Sequence, residues 1–259
     1  MDTGTIADGG IIRPPPVNMM IEFRDVLKTY KIKGHRRIIL GGVSHRFEPG
    51  VNVGILGRNG AGKSTMLRLI GGEEAPDSGR VVRTSRVSWP IGFSGCFHGQ
   101  LTGRENMRFV SRIYGASIDK VTEFVEEFSE LGPYMDMPVK TYSSGMKAKL
   151  AFGLSMALEF DYYLIDEVTA VGDASFQAKC RAVFEARKSS ATLLVVSHSI
   201  STIRRHCDEA LVLDQGRLIE FPDIDQAAAY YNQSCQGPAV YQFADRVPDD
   251  LFERKVGGV

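Results

Sequence analysis

Residues Gly57, Arg58, Asn59, Gly60, Ala61, Gly62, Lys63, Ser64 and Thr65 read G-x-x-x-x-G-K-S, a pattern whose chemistry is phosphate binding. Glycines carry no Cβ and tolerate positive φ, so such a loop can wrap tightly around an oxyanion. Amides at the start of the next helix point at the phosphate oxygens, Lys63 reaches the outer phosphates, and the Ser64 hydroxyl is a ligand for Mg²⁺. A chance match in a glycine-rich chain is the alternative, and the flanks argue against it. Val51 to Leu56 reads as an apolar strand before the loop, and Met66 to Ile70 continues at helical spacing after it. Two acids, Asp166 and Glu167, close the apolar run Tyr162-Tyr163-Leu164-Ile165. At the carboxyl end of a strand beside the loop strand, Asp166 can hold the metal and Glu167 can polarise an attacking water. A strand that merely ends in solvated acids is the structural alternative. Tyr142-Ser143-Ser144-Gly145-Met146 precedes the helical pattern of residues 147–158. Ser143 suits a helix cap, and the amides behind it can meet an anion. Taken alone, that segment is also simply a good cap. His198 follows the buried run Thr192 to Val196, where a lone histidine is most often structural.

These groups need a scaffold of buried strands alternating with helices, an α/β core. Met20 to Phe23, Ile38 to Leu40 and Val43 to Phe47 read as short strands, with Pro49-Gly50 turning into the loop strand. From Thr102 to about Glu159 the pattern becomes helical: Arg104 to Tyr114, Ile118 to Leu131 and Ser144 to Leu158, separated by Gly and Pro breaks. Phe176 to Lys188 and Ser201 to Cys207 are further helices, and residues 210–220 a hairpin around Gly216. Residues 1–18, Gly- and Pro-rich, read as a disordered extension. The expected layout is a core over 19–96 and 160–225, a helical subdomain over 97–159 and a tail over 226–259.

Composition excludes several classes. Hydrophobic residues at 43% and charged residues at 24% of 259 match a globular chain with a sizeable core. Lys plus Arg equals Asp plus Glu at 31 each, so no net field favours nucleic acid or an anionic membrane. The local runs His35-Arg36-Arg37 and Arg204-Arg205-His206 read as solvated faces. Cys96, Cys180, Cys207 and Cys235 are scattered, which favours reduced thiols over zinc or disulfides. No apolar run is long enough to span a bilayer, and the N-terminus does not read as a secretion signal.

The loop, the Ser143 segment, the Asp166-Glu167 strand, Val171-Gly172-Asp173 and His198 occur in the order and at the spacing of an ABC-transporter ATP-binding subunit, which the chain resembles over about residues 20–220. The resemblance implies an α/β P-loop NTPase (RecA-like) core with an antiparallel β subdomain and a helical insertion. It implies ATP and Mg²⁺ as ligands. Tyr30 becomes the aromatic that stacks on adenine, Asp166-Glu167 the Walker B acids, and Ser143 with Gly145 the signature that addresses ATP on a second copy. Val171 to Asp173 becomes the segment crossing the dimer interface, and His198 the switch histidine at the γ-phosphate. The sequence departs from the family at Ser144 and Met146 of the signature. Where the family carries a glutamine it has His98, with Gln100 two residues on as the other candidate.

A finer resemblance, to the capsular-polysaccharide (polysialic acid type) export ATPases, rests on Ser88 to Phe93, Gln100-Leu101-Thr102-Gly103-Arg104-Glu105-Asn106, Tyr142 to Met146 and Asp166 to Asp173. It implies a homodimer on the cytoplasmic face of a bacterial inner membrane, bound to an integral permease that itself contacts the exported glycan. Nucleic acid is not an expected partner. O-antigen and teichoic-acid-type exporters remain alternatives, although the forty or so residues after the last hairpin are too few for the glycan-binding domain many O-antigen subunits carry. A soluble ABC ATPase acting on nucleic acid or ribosomes calls for a long insertion, a basic surface or two cassettes, none of which is present. A binding module without turnover is disfavoured by Glu167 and His198.

Overall fold

The computed structural model describes residues 20–32, 35–91, 97–166, 174–188, 190–234 and 243–244. Glu167, the 171–173 segment, Cys96, Cys235 and the extension expected over 1–18 lie outside them.

One sheet holds six strands, in the order β5 (Val87–Ile91), β6 (Tyr162–Asp166), β7 (Thr192–Val196), β3 (Val53–Leu56), β8 (Glu209–Asp214) and β9 (Arg217–Glu220). All neighbours are parallel except the β8–β9 hairpin. Burial on both faces explains why β3 and β7 are unbroken apolar runs. β6 does not lie beside the loop strand as the sequence suggests, because β7 pairs with both and separates them. Asn52 sets the start of β3. Its side chain donates to Asp208 Oδ2 at 2.9 Å and accepts from the Leu193 amide at 2.9 Å, tying β3 to the strands on either side.

A second, antiparallel sheet runs β10 (Phe243–Ala244), β2 (His35–Phe47), β1 (Ile21–Ile32), β4 (Ser78–Arg83). The two short strands expected within 38–47 are one strand, β2, whose pairing with β1 shifts register instead of breaking. Gly42, at φ 79°, supplies the left-handed residue within it.

Two cores result, and adjacent tyrosines on β6 feed one each. Tyr162 joins Phe23, Leu40, Phe47, Met66 and Leu67 between the sheets, around helix α1 (Lys63–Gly71). Tyr163 joins Phe128, Phe152, Phe176 and Phe184 on the other side. That second core carries α2 (Gly103–Ile113), α3 (Ile118–Ser129), α4 (Ser144–Ala157) and α5 (Ala174–Lys188). Each phenol spends its hydroxyl on a backbone carbonyl, Phe47 at 2.9 Å and Leu158 at 2.8 Å, as burial requires. The described chain also holds α6 (Ile200–His206), α7 (Ile224–Ser234) and two short 3-10 turns, Gly132–Asp136 and Val139–Thr141. α7 is not among the helices expected from the sequence, although Asp223, which accepts from the Gln226 amide at 2.8 Å, is a capping signal for it. Cys180 and Cys207 are buried with free thiols pushed up to about 12 by desolvation, so both stay protonated and unreactive. Among the described residues no helix is long and apolar enough to cross a membrane.

Candidate nucleotide site

Gly57 to Gly62 lie between β3 and α1, the strand-to-helix turn the sequence predicts. Gly62 caps α1 at φ 112°, ψ 9°, and a Cβ there would sit 2.4 Å from Ile39 Cγ2, so only glycine fits. Gly57 is excluded from bearing a side chain by the Leu213 carbonyl, 2.7 Å from the would-be Cβ. Lys63 is 8% exposed. Its ammonium curls into the loop and donates to the Gly57 carbonyl at 2.7 Å and the Arg58 carbonyl at 3.2 Å.

A cleft of about 390 Å³ opens over this loop, lined by Tyr30, Arg37, Asn59, Gly62, Lys63, Ser64, Thr65 and Asp166 among others. The structure thus brings together Tyr30, the glycine loop and Asp166, the acid expected to hold the metal, which lie far apart in sequence. Ser64 and Asp166 offer a hydroxyl and a carboxylate, the hard oxygen donors that Mg²⁺ prefers, and a nucleotide and water would complete its shell. The reading of His35-Arg36-Arg37 as a solvated face fails for Arg37, which is half-buried in the cleft wall. Its burial follows from the hairpin register that sets it opposite Tyr30, a pairing the sequence does not display.

Tyr30 is held by its edge. Its hydroxyl donates to Glu74 Oε2 at 2.6 Å, Arg68 pairs with the same carboxylate at 2.6 Å, and the Lys28 ammonium lies 5.5 Å from the ring centre. Desolvation pushes the Glu74 carboxyl up, but hydrogen bonds from Tyr30, Arg68 and Lys28 outweigh it and hold the group below its ordinary value of 4.5. A depressed carboxyl stabilises the fold fully above that value and loses the contribution as pH falls through the lower folded-state value. On acidification below about pH 4.5, a Glu74→Gln chain therefore loses less stability than the wild type. Thermal melts across that range measure it, and equal losses in both chains contradict it.

Among the described candidates, His98, Ser143, Gly145 and His198 do not line the cleft. Ser143 caps α4, its hydroxyl accepting from the Met146 amide at 3.2 Å, and is exposed. Gly145 faces open space: a Cβ there would meet nothing nearer than Ser143 Oγ at 3.9 Å. His198 is exposed between the end of β7 and the Ser199 cap of α6. Since β3, β7 and β6 are consecutive and parallel, the loop, His198 and Asp166 all occupy one carboxyl edge of the sheet.

The segment Leu101 to Asn106 is a positioning device. Thr102 and Glu105 form a reciprocal capping box at α2. Gly103 leaves room for the buried Tyr142, whose hydroxyl would lie 2.5 Å from a Cβ there. Buried Asn106 accepts from the His98 amide at 2.9 Å and donates to the carbonyls of His98, Leu101 and Thr102, pinning the loop that carries His98. Gln100 and His98 are both exposed, but the Gln100 side chain accepts from the Lys140 ammonium at 2.8 Å, an engagement that favours His98 of the two. Asn106→Ala leaves those groups without their partner. The expected cost is about 1–3 kcal/mol, seen as a fall in Tm of about 2–4 °C per kcal/mol. An unchanged Tm contradicts the pinning role.

The ABC transporter family profile matches residues 40–170. The chain belongs to the ABC transporter family. It is 54% identical over 214 residues to the capsule polysaccharide export ATP-binding protein CtrD of Neisseria meningitidis serogroup B, covering 82% of this chain and 99% of that one. The polysialic acid transport ATP-binding protein KpsT of Escherichia coli is 46% identical over 217 residues, 83% of this chain and 99% of its own. An O-antigen export system ATP-binding protein, RfbB of Klebsiella pneumoniae, is 40% identical over 207 residues, 78% of this chain and 84% of its own. The dimeric post-hydrolysis structure of the ATP-binding cassette MJ0796, with ADP and Pi, superposes with a TM-score of 0.66 at 22% identity, over 77% of this chain and 96% of that one. This ABC transporter chain is an ATPase subunit, and the expected P-loop NTPase core with its antiparallel β subdomain and helical insertion is borne out.

Proposed function

We propose that the chain is the ATP-hydrolysing subunit of an exporter that moves a capsular polysaccharide, or a related lipid-linked glycan, across the bacterial inner membrane. The observation that carries this is the 54% identity spanning 99% of the capsule-export subunit CtrD, against 40% over 84% of the O-antigen subunit RfbB.

The proposed working unit is a homodimer. Adenine stacks on Tyr30, whose ring plane is fixed through Glu74 and Arg68. The triphosphate lies along the loop amides, with Lys63 transferring its hydrogen bonds from loop carbonyls to phosphate oxygens. Ser64 and Asp166 would hold Mg²⁺, which when bound would neutralise charge on the transferring phosphate. Glu167 accepts the proton of the attacking water as its oxygen bonds the γ-phosphorus and the bond to the bridging oxygen breaks. His198 orients that water. Gly145 supports the second copy's part. Glycine in a helix costs up to about 1 kcal/mol relative to alanine, and among the described residues nothing comes nearer than 3.9 Å to the place a Cβ would take. Open space there suits close approach by a phosphate bound to the other subunit, with Ser143 beside it.

The permease surface we assign is the helical subdomain near the His98 loop. Phe109 and Ile113, one turn apart on α2, are 56% and 62% exposed, and Tyr134 and Met137 are exposed on the same subdomain. Docking there places the chain peripherally on the cytoplasmic face of the membrane. Deleting the gene tests the reading: the account expects loss of capsule with intact lipopolysaccharide. Truncated lipopolysaccharide supports the O-antigen alternative, and an unchanged envelope rejects glycan export.

A further inference from the structure

We propose that Arg37 is a phosphate contact of the bound nucleotide and that the C-terminal strand β10 holds it in place. The proposal rests on the reading of the cleft as an ATP site. Arg37 pairs directly with Tyr30 across the β1–β2 ladder, so the two side chains leave the same face of the sheet. Both line the cleft with Lys63 and Ser64. The Arg37 guanidinium donates to the carbonyl of Gly60, in the middle of the phosphate loop. A guanidinium within hydrogen-bond reach of the loop is within reach of what the loop binds. Its planar fork matches two phosphate oxygens, whereas Lys63 acts as a point charge. Arg37 thus approaches from the hairpin and Lys63 from α1, and the triphosphate lies between two cations.

The C-terminal part of the chain meets this arrangement twice. Phe243 pairs with Arg37 and Ala244 with Arg36, on the edge of β2 that β1 does not cover. Arg58, in the phosphate loop, donates to the Ser234 carbonyl at the end of α7 at 3.3 Å. Without β10, Arg36 and Arg37 sit on the frayed end of an edge strand, and the guanidinium has no fixed origin from which to reach Gly60. β10 is therefore a positioning element for a residue of the nucleotide site, although it lies about two hundred residues away in sequence.

Calorimetric titration of the full-length chain with ATP, ADP and AMP tests this. Arg37→Ala is expected to weaken ATP about tenfold, ADP less and AMP hardly at all, with Arg37→Lys recovering part of the loss. Replacing Phe243 and Ala244 together with proline removes both amide donors of β10 while leaving Arg37 in place, and is expected to reproduce the same phosphate-dependent pattern more weakly. Equal weakening of all three nucleotides by Arg37→Ala, or none, overturns the phosphate contact. Unchanged ATP affinity in the double proline variant overturns the role of β10. Lys63→Ala separates this from the underlying reading. If it too leaves ATP affinity unchanged, the cleft is not the nucleotide site; if it alone weakens ATP, only the Arg37 proposal fails.

Discussion

A Glu167→Gln chain is expected to bind ATP as the wild type does, to hydrolyse it at least about 100-fold more slowly, and to accumulate as an ATP-bound dimer. The amide keeps the size and hydrogen-bonding reach of the carboxylate but cannot take a proton from water. It also removes a negative charge next to the γ-phosphate, which favours the closed state in which two subunits share the nucleotides. The assignment rests on sequence order: Glu167 directly follows Asp166, which lines the cleft at the carboxyl end of β6. Phosphate release and sedimentation with and without ATP measure the two effects. Turnover near the wild-type rate contradicts the assignment of the base.

Lys63→Ala is expected to weaken ATP binding by about 2–3 kcal/mol, roughly 30- to 150-fold, and to abolish measurable turnover. The ammonium is buried and held by two loop carbonyls, so its removal deprives the phosphates of a desolvated cation, where charge counts most. The fold should survive, because α1 keeps Met66, Leu67, Leu69 and Ile70 in the core and the loop glycines keep their conformations. A titration with ATP beside a thermal melt separates the two effects. Unchanged affinity removes the phosphate loop from the account.

Local signals were legible in the sequence and long-range pairings were not. α2, α3 and α4 fall within about two residues of the helices expected there, because Thr102, Ser117 and Ser143 cap them with side-chain oxygens. The phosphate loop was equally readable, since a strand, a glycine turn and a helix start are consecutive. The insertion of β7 between β3 and β6 was not readable, as parallel neighbours are chosen by packing across the whole sheet. Arg37 was misread for the same reason: its burial depends on the β1–β2 register and on the loop folding beneath it. Asn106 closes a motif visible in the sequence, but only its four hydrogen bonds disclose that it holds the His98 loop. Gly145 carries the opposite lesson. The described residues give no steric reason for a glycine there, which directs attention to a second copy.

The central claim is that each ATP is shared between one subunit's phosphate loop and the other's signature helix. The most direct measurement is ATP turnover in an equimolar mixture of Lys63→Ala and Gly145→Asp chains. Each variant alone is expected to be inactive, the first for want of the ammonium, the second because a carboxylate faces the γ-phosphate. In a mixed dimer, the intact loop of the Gly145→Asp chain meets the intact signature of the Lys63→Ala chain and forms one working site. Half the dimers are then mixed and each has one of its two sites, so turnover should recover to about a quarter of the wild-type value. Turnover no greater than the sum of the two separate variants contradicts the shared site.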